Sequence, residues 1–252
     1  MKEEMEAQRI IITGGATRIG AAIAESLASL KNQITIHYNK SKEKAEKLKK
    51  ILEKKGSKVF LIKADLNKIS ELNKIIKFAN KKMKGINCLI NNASVFENDN
   101  IKKFSIKRWD NHLNINLKAP ALLIQQFAKI VSKNTSANVI NIVDQKVFKI
   151  TPYFLSYTLS KTGLYTLTKT SAMSLAPNIR VNGIAPGPTI KSKRQSLKHF
   201  KKQYLSTLLR KNVDTKEICS AIKFLITSKS ITGQVIAIDS GQNLSWKTPV
   251  II

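Results

Sequence analysis

Two stretches carry residues whose types and spacing could do chemistry. In Tyr157-Thr-Leu-Ser-Lys161 the phenol and the ammonium lie one helical turn apart on a shared face. A free tyrosine titrates near pH ~10, too high for ready proton exchange at neutral pH. A lysine beside it stabilises the phenolate and is expected to bring that value down, making Tyr157 an acid–base group. The second stretch is Ile10-Ile-Ile-Thr-Gly-Gly-Ala-Thr-Arg-Ile-Gly20. A β-branched run stops at Thr13-Gly14-Gly15, and a helix opens through Ile19, Gly20, Ile23 and Leu27. A strand, a glycine turn and a helix N-terminus form an anion site that suits a pyrophosphate. A side chain at Gly14 or Gly20 would hold the phosphate or the neighbouring strand at a distance.

The elements that must position these residues follow from the apolar pattern. Strands are expected near 9–13, 33–38, 58–63, 87–91, 137–143, 178–184 and 234–239. Helices are expected near 18–30, 41–55, 68–82, 106–131, 154–176 and 214–228. Strand–helix alternation with short connections predicts an α/β fold in one domain over 1–252. It is a Rossmann-like, doubly wound, seven-stranded parallel sheet with helices on both faces. Tyr157 then follows strand 137–143 at the carboxyl edge of the sheet. The polar, lysine-rich stretch 186–213 has no clear strand and is expected to be a mobile flap over the site.

Further residues fall at the same edge. The second strand runs out into His37-Tyr-Asn-Lys-Ser41 with no acidic residue to hold a ribose 2′-hydroxyl. Asn39, Lys40 and Ser41 offer donors to a phosphate instead, which favours NADPH; Ser41 also fits the N-cap of the next helix. Asp65-Leu66 follows the third strand, where the carboxylate could accept from an adenine amino group. Asn91-Asn92-Ala93-Ser94 follows the fourth, small enough for close backbone approach to a cofactor and able to brace adjacent strands.

Composition bounds the rest. The 252 residues hold 44 Lys and Arg against 16 Asp and Glu, a net charge of +28. Only six of the positives are arginine, and the lysines spread over several outward faces rather than interleaving with aromatics, so nucleic-acid binding is not expected. A basic field would still draw anionic cofactors and substrates to a cleft. There is no run long enough to cross a bilayer and no secretion signal at the start, so the expected address is the cytoplasm. Cys88 and Cys219 make no disulfide framework, and Cys88 reads as a buried thiol. His112 and His199 have no companions for a metal and are assigned no chemistry. No metal site is expected.

Together, Thr13-Gly-x-x-x-Arg-x-Gly20, Asp65, Asn91-Asn-Ala93, Asn116, Tyr157-x-x-x-Lys161, Pro186-Gly187 and Asp239-Ser-Gly241 resemble the short-chain dehydrogenase/reductase family across essentially the whole chain. The resemblance implies that Tyr157 is the acid–base residue and that Lys161 lowers its pKa and holds the nicotinamide ribose. It implies that Asn116 anchors a water-mediated relay and that Thr189, after Pro186-Gly187-Pro188, lies near the carboxamide. The cofactor's other contacts would come from Thr17 to Gly20, from His37 to Ser41, and from Asn92 to Ser94. A homotetramer packed through 106–131 and 154–176 is implied in the same way.

Two departures from the family pattern stand out: Arg18 where glycine is usual, and Asp144 where a catalytic serine is usual. Both resemble the pteridine reductase branch, including dihydromonapterin reductases, as do His37-Tyr38-x-Lys40-Ser41, Asn91-Asn-Ala-Ser-x-Phe96 and Gly241-Gln-x-Leu-x-Trp246. A carboxylate cannot donate to a ketone oxygen that is becoming negative, whereas a pterin presents N–H donors that it can accept. The expected substrate residues are Arg18, Ser94, Phe96 as a stacking platform, Asp144 and Tyr157. Each has a plainer alternative: Phe96 as core, Asp144 as a cap, Arg18 as a surface residue of the first turn. Trp246 fits the core, an interface or the pocket. The resemblance implies NADPH-dependent reduction of a dihydropterin, dihydromonapterin or dihydrobiopterin, with dihydrofolate as a weaker substrate. The alternative is a carbonyl reductase such as one acting on a 3-oxoacyl thioester.

Overall fold

The computed structural model describes residues 7–132, 135–192 and 195–246. Seven strands form one parallel sheet: β1 (Arg9–Ile12), β2 (Gln33–Tyr38), β3 (Lys58–Lys63), β4 (Cys88–Asn91), β5 (Ala137–Ile142), β6 (Ile179–Pro186) and β7 (Val235–Ile238). Their spatial order is β3-β2-β1-β4-β5-β6-β7. The chain winds outward from β1 to β3, then returns to the other side of β1 with β4. The carboxyl ends of β1 and β4 therefore splay apart at a switch point, where a doubly wound sheet opens a crevice.

Both faces are covered, and β1 shows why a continuous apolar run is required. Ile10 and Ile12 pack with α1 (Arg18–Leu27), α2 (Lys42–Lys54) and α8 (Thr215–Thr227), while Ile11 packs with α3 (Ile69–Met83) and α5 (Ala119–Ile130) on the other side. Cys88 and Ile90 against Leu89 repeat the alternation in β4. The Cys88 thiol is buried, and burial pushes its pKa up to about 12.

Two elements differ from expectation. The stretch 106–131 is not one helix: α4 (Ile106–Leu113) passes through a π-helical turn, Asn114–Lys118, before α5 begins. Pro120 in the first turn of α5 has no N–H to give the carbonyl of residue 116, so the ladder widens there. Within 186–213 lies a helix, α7 (Leu197–Leu205), capped by Ser196 Oγ accepting from His199 N at 3.1 Å. It buries none of its residues, and its short stripe of Leu197, Phe200 and Tyr204 stands among lysines. The last helix in the site, α6 (Leu155–Leu175), matches expectation. Among the described residues, no helix is long and apolar enough to cross a membrane.

Candidate active site

A cleft of about 470 Å³ lies over the carboxyl ends of β1, β4, β5 and β6. At one end is the glycine turn. Gly14 takes a φ of +59°, and a Cβ on Gly20 would come within 2.5 Å of Asn92 Nδ2, so α1 can pack against the turn only through glycine. Two of the turn's amides are already engaged. Gly14 N–H donates to His37 Nδ1 at 3.2 Å, and Gly15 N–H to the His37 carbonyl at 3.1 Å. His37 Nε2 lies 3.0 Å from the Ala64 carbonyl, so the ring carries its proton on Nε2. Burial holds its pKa below the ordinary value. His37 thus braces the turn and also lines the cleft, leaving the first amides of α1 to face an anion.

Thr13 stitches the crevice from beneath. Its Oγ1 accepts from Asn92 N at 3.0 Å and Ala93 N at 3.1 Å, while Asn92 Nδ2 donates to the carbonyls of Thr13 and Gly14. Asn91 Nδ2 donates to Asn141 Oδ1 at 2.9 Å and ties β4 to β5, the bracing expected of it.

Arg18 is the one residue of the turn whose backbone is strained, with a φ of +56°. That is the left-handed region, which costs a residue with a Cβ and explains why glycine is the usual choice there. Its guanidinium donates to the carbonyls of Ile190 at 2.8 Å and Lys191 at 3.0 Å. Arg18 therefore lines the cleft and tethers the flap while remaining an exposed residue of the first helical turn, so the two readings hold together.

At the other end, Tyr157 O–H donates to Asp144 Oδ2 at 2.7 Å, and Asp144 Oδ1 accepts from Lys146 N at 2.9 Å. Asp144 is both the cap of the turn after β5 and the phenol's partner, so the two readings hold together. Burial, then the Asp144 charge, pushes the Tyr157 pKa well above its ordinary value. This corrects the expectation that Lys161 brings it down. Lys161 Nζ donates to the Ile142 carbonyl at 2.7 Å and sits 5.9 Å from the Tyr157 ring centre. Burial lowers its own pKa to about 8, against the pull of Asp144. Asp144 is raised by burial, with Tyr157 the largest opposing influence.

Several other expected residues line this cleft: Thr17, Ile19, Asn39, Leu66, Ser94, Pro186, Gly187 and Thr189. Phe96 is 45% exposed, stacks on Phe154 at 4.5 Å and 7°, and meets Tyr157 edge-on, so it is not a core residue. Five expected residues, Tyr38, Lys40, Ser41, Asp65 and Asn116, stand outside the cleft lining. Tyr38 belongs to the core beneath the sheet. Asp65 accepts from Asn67 N at 3.0 Å within its own loop, and its neighbour Leu66 faces the cleft in its place. Lys40 and Ser41 stand outside the cleft lining, although Ser41 occupies the N-cap position of α2 without a side-chain cap bond. Asn116, on the π turn, is fully buried, and its amide is fully used. Oδ1 accepts from Val95 N and Ser94 Oγ, and Nδ2 donates to Val95 O and Ser160 Oγ. Its side chain clips the loop after β4 to α6 and has no hydrogen-bonding capacity left over.

Sequence reading missed Lys146, whose Nζ stands 4.8 Å over the Phe154 ring, and the polar residues Gln195, Gln203 and Gln242 that line the cleft with it. Lys146 sits four residues past the end of β5, which was the available signal. Trp246 is 74% exposed, so the core reading is excluded. Among the described residues, no group of His, Cys, Asp and Glu could hold a metal.

The short chain dehydrogenase family model matches residues 8–202. The chain is similar to the crystal structure of FolM alternative dihydrofolate reductase 1 from Brucella suis in complex with NADP. The identity is 39%, the coverage 95% of this chain and 96% of that one, and the TM-score 0.92. Curated relatives include the 3-oxoacyl-[acyl-carrier-protein] reductase FabG of Staphylococcus aureus, 30% identical over 237 residues, covering 92% of this chain and 96% of its own. FabG of Staphylococcus epidermidis is 29% identical over 236 residues, covering 92% of this chain and 97% of its own.

Proposed function

The chain belongs to the short-chain dehydrogenase family, and from that premise we propose that it reduces a dihydropterin, such as dihydromonapterin or dihydrobiopterin, with NADPH. The observation that carries this reading is the hydrogen bond from Tyr157 to Asp144. A carboxylate in this place repels the oxyanion of a carbonyl reduction, whereas it accepts N–H donors of a pterin and returns a proton to ring nitrogen. The similarity to a solved alternative dihydrofolate reductase supports the same substrate class.

The residues present fit the cofactor. The first amides of α1 would hold its pyrophosphate. The segment 37–41 holds no carboxylate to oppose a 2′-phosphate, and Lys40 is exposed beside it. When bound, NADPH supplies the hydride. The chain's part is to hold the ring beside the exposed Phe96, to orient it through Asp144, and to deliver the proton from the Tyr157–Asp144 pair to N5. Lys161, fixed on the Ile142 carbonyl, keeps a positive charge next to that pair. Burial by the flap strengthens each of these interactions by excluding water.

A second reading, reduction of a 3-oxoacyl thioester, is favoured by the FabG relatives. Consumption of NADPH by purified protein offered dihydromonapterin, dihydrobiopterin, dihydrofolate and acetoacetyl thioester side by side, with NADH as control, separates the two. Dihydropterin turnover is expected. Turnover of the thioester alone overturns the proposal.

A further inference from the structure

We propose that His112, Ser156 and Asp99 are positioning residues, a buried hydrogen-bond chain that fixes the Phe96 ring and the Tyr157 hydroxyl relative to each other. The proposal rests on the reading that Phe96 and Tyr157 face the substrate. All three residues are buried, and they come from three separate elements: α4, the first turn of α6, and the loop after β4.

The polarity of the chain is determined. Glu97 N–H donates to His112 Nε2 at 3.1 Å, so Nε2 is the acceptor and the ring's proton sits on Nδ1. Nδ1–H donates to Ser156 Oγ at 2.7 Å, and Ser156 O–H passes its hydrogen to Asp99. Asp99 also accepts from Ser156 N at 3.2 Å, and its carbonyl accepts from Phe154 N at 2.8 Å. The loop that carries Phe96 is therefore held at Val95 by Asn116, at Glu97 by His112 and at Asp99 by Ser156. Phe96 lies between two of these clips. The Tyr157 ring is bracketed by Phe96 at 4.7 Å and His112 at 5.9 Å, both edge-on. A shift of His112 is thus felt by the stacking ring and by the proton donor together.

Protonation of His112 would place a second hydrogen opposite the Glu97 amide and break the clip. The charges facing the ring are Asp99 and Glu97, which favour protonation, and Arg108, which opposes it and pairs with Glu97 at 2.9 Å. Burial outweighs them and holds the imidazole below its ordinary pKa, in the neutral form the chain needs.

Two substitutions divide the two ends of the ring. His112→Asn keeps a donor toward Ser156 and loses the acceptor toward Glu97. His112→Gln can accept from Glu97 and loses the bond to Ser156. With 7,8-dihydrobiopterin and saturating NADPH, H112N is expected to raise KM about fivefold to tenfold with a smaller effect on kcat. H112Q is expected to lower kcat by a similar factor with KM nearly kept, each change being about one hydrogen bond's worth. NADPH affinity is expected to stay within about twofold, since no member of the chain lines the cofactor end of the cleft. Kinetics within about twofold of wild type in both variants overturn the proposal. So do losses in which kcat, NADPH affinity and melting temperature fall and KM rises together. If either variant does not fold, Ser156→Ala carries the kcat test. If wild type turns over only the thioester, the substrate reading has failed, and a kcat loss of H112Q on that substrate still supports the positioning of Tyr157.

Discussion

The hydroxyl of Tyr157 gives its hydrogen to Asp144 Oδ2 across 2.7 Å, and the contact acts oppositely on the two groups: Asp144 makes Tyr157 harder to ionise, whereas the donated hydrogen eases ionisation of Asp144 against its burial. Burial raises both, and the negative charge of Asp144 raises Tyr157 further. The pair therefore holds a proton to higher pH than a free carboxylate does, as a group that must deliver a proton near neutrality requires. Lys161 is the cation that keeps this pairing from becoming a buried net negative charge.

That arrangement predicts a pH profile. The proton-loaded pair is depleted as pH rises through the raised pKa of Asp144, so kcat for dihydropterin reduction should fall with rising pH. Asp144→Asn can still accept from Tyr157 but cannot carry a proton. Its kcat is expected to drop by about 10²-fold or more and to lose that descending limb. An unchanged profile in D144N would remove the carboxyl from the relay.

Lys161 carries a stability signature. Its pKa is depressed from 10.5 to about 8 by burial. Between those values the unfolded chain holds a proton that the folded chain does not, so this group makes stability rise with pH over that window. Below it, the buried charge costs the fold about 3 kcal/mol. Lys161→Met is expected to abolish turnover and to melt at an equal or higher temperature near neutral pH. Its melting curve should lack the rise between pH 8 and 10.5 that wild type shows.

At Arg18 the backbone and the side chain can be separated. Arg18→Gly and Arg18→Ala lose the tether to Ile190 and Lys191 equally, and in both the flap should be cleaved faster in limited proteolysis. Only glycine relieves the φ of +56°, so R18G is expected to be about 1 kcal/mol more stable than R18A in chemical denaturation.

Cofactor choice tests the edge of β2. Lys40→Ala is expected to raise KM for NADPH about tenfold, with KM for NADH unchanged, as removal of one phosphate-facing charge would do. Equal effects on both nucleotides would place the 2′-phosphate elsewhere.

What the sequence revealed is what local rules govern. Ile10 to Ile12 announce a strand buried on both faces, and the order of strands and helices announces their winding. The glycine turn, Tyr157 and Lys161 are legible because their spacing is fixed by one turn of backbone. The misreadings depend on tertiary packing. Tyr38 alternates like a strand residue and faces the core, at the end of the register of β2 on β3. Asp65 closes a local turn. Asp99, His112 and Ser156 meet only because α4, α6 and a loop converge. The pKa of Tyr157 reverses expectation because sequence spacing records the nearness of Lys161 but not the closer contact with Asp144.

The π turn at Asn114–Lys118 acts as a change of phase. One extra residue rotates everything after it by about 100° relative to an unbroken helix. The apolar side of α5 therefore meets the sheet while Asn116 still points at the loop that bears Phe96. Deleting a single residue there would leave both halves helical and force the molecule to choose between them. Either α5 would turn its greasy side to water, or the loop beside Tyr157 would lose its anchor.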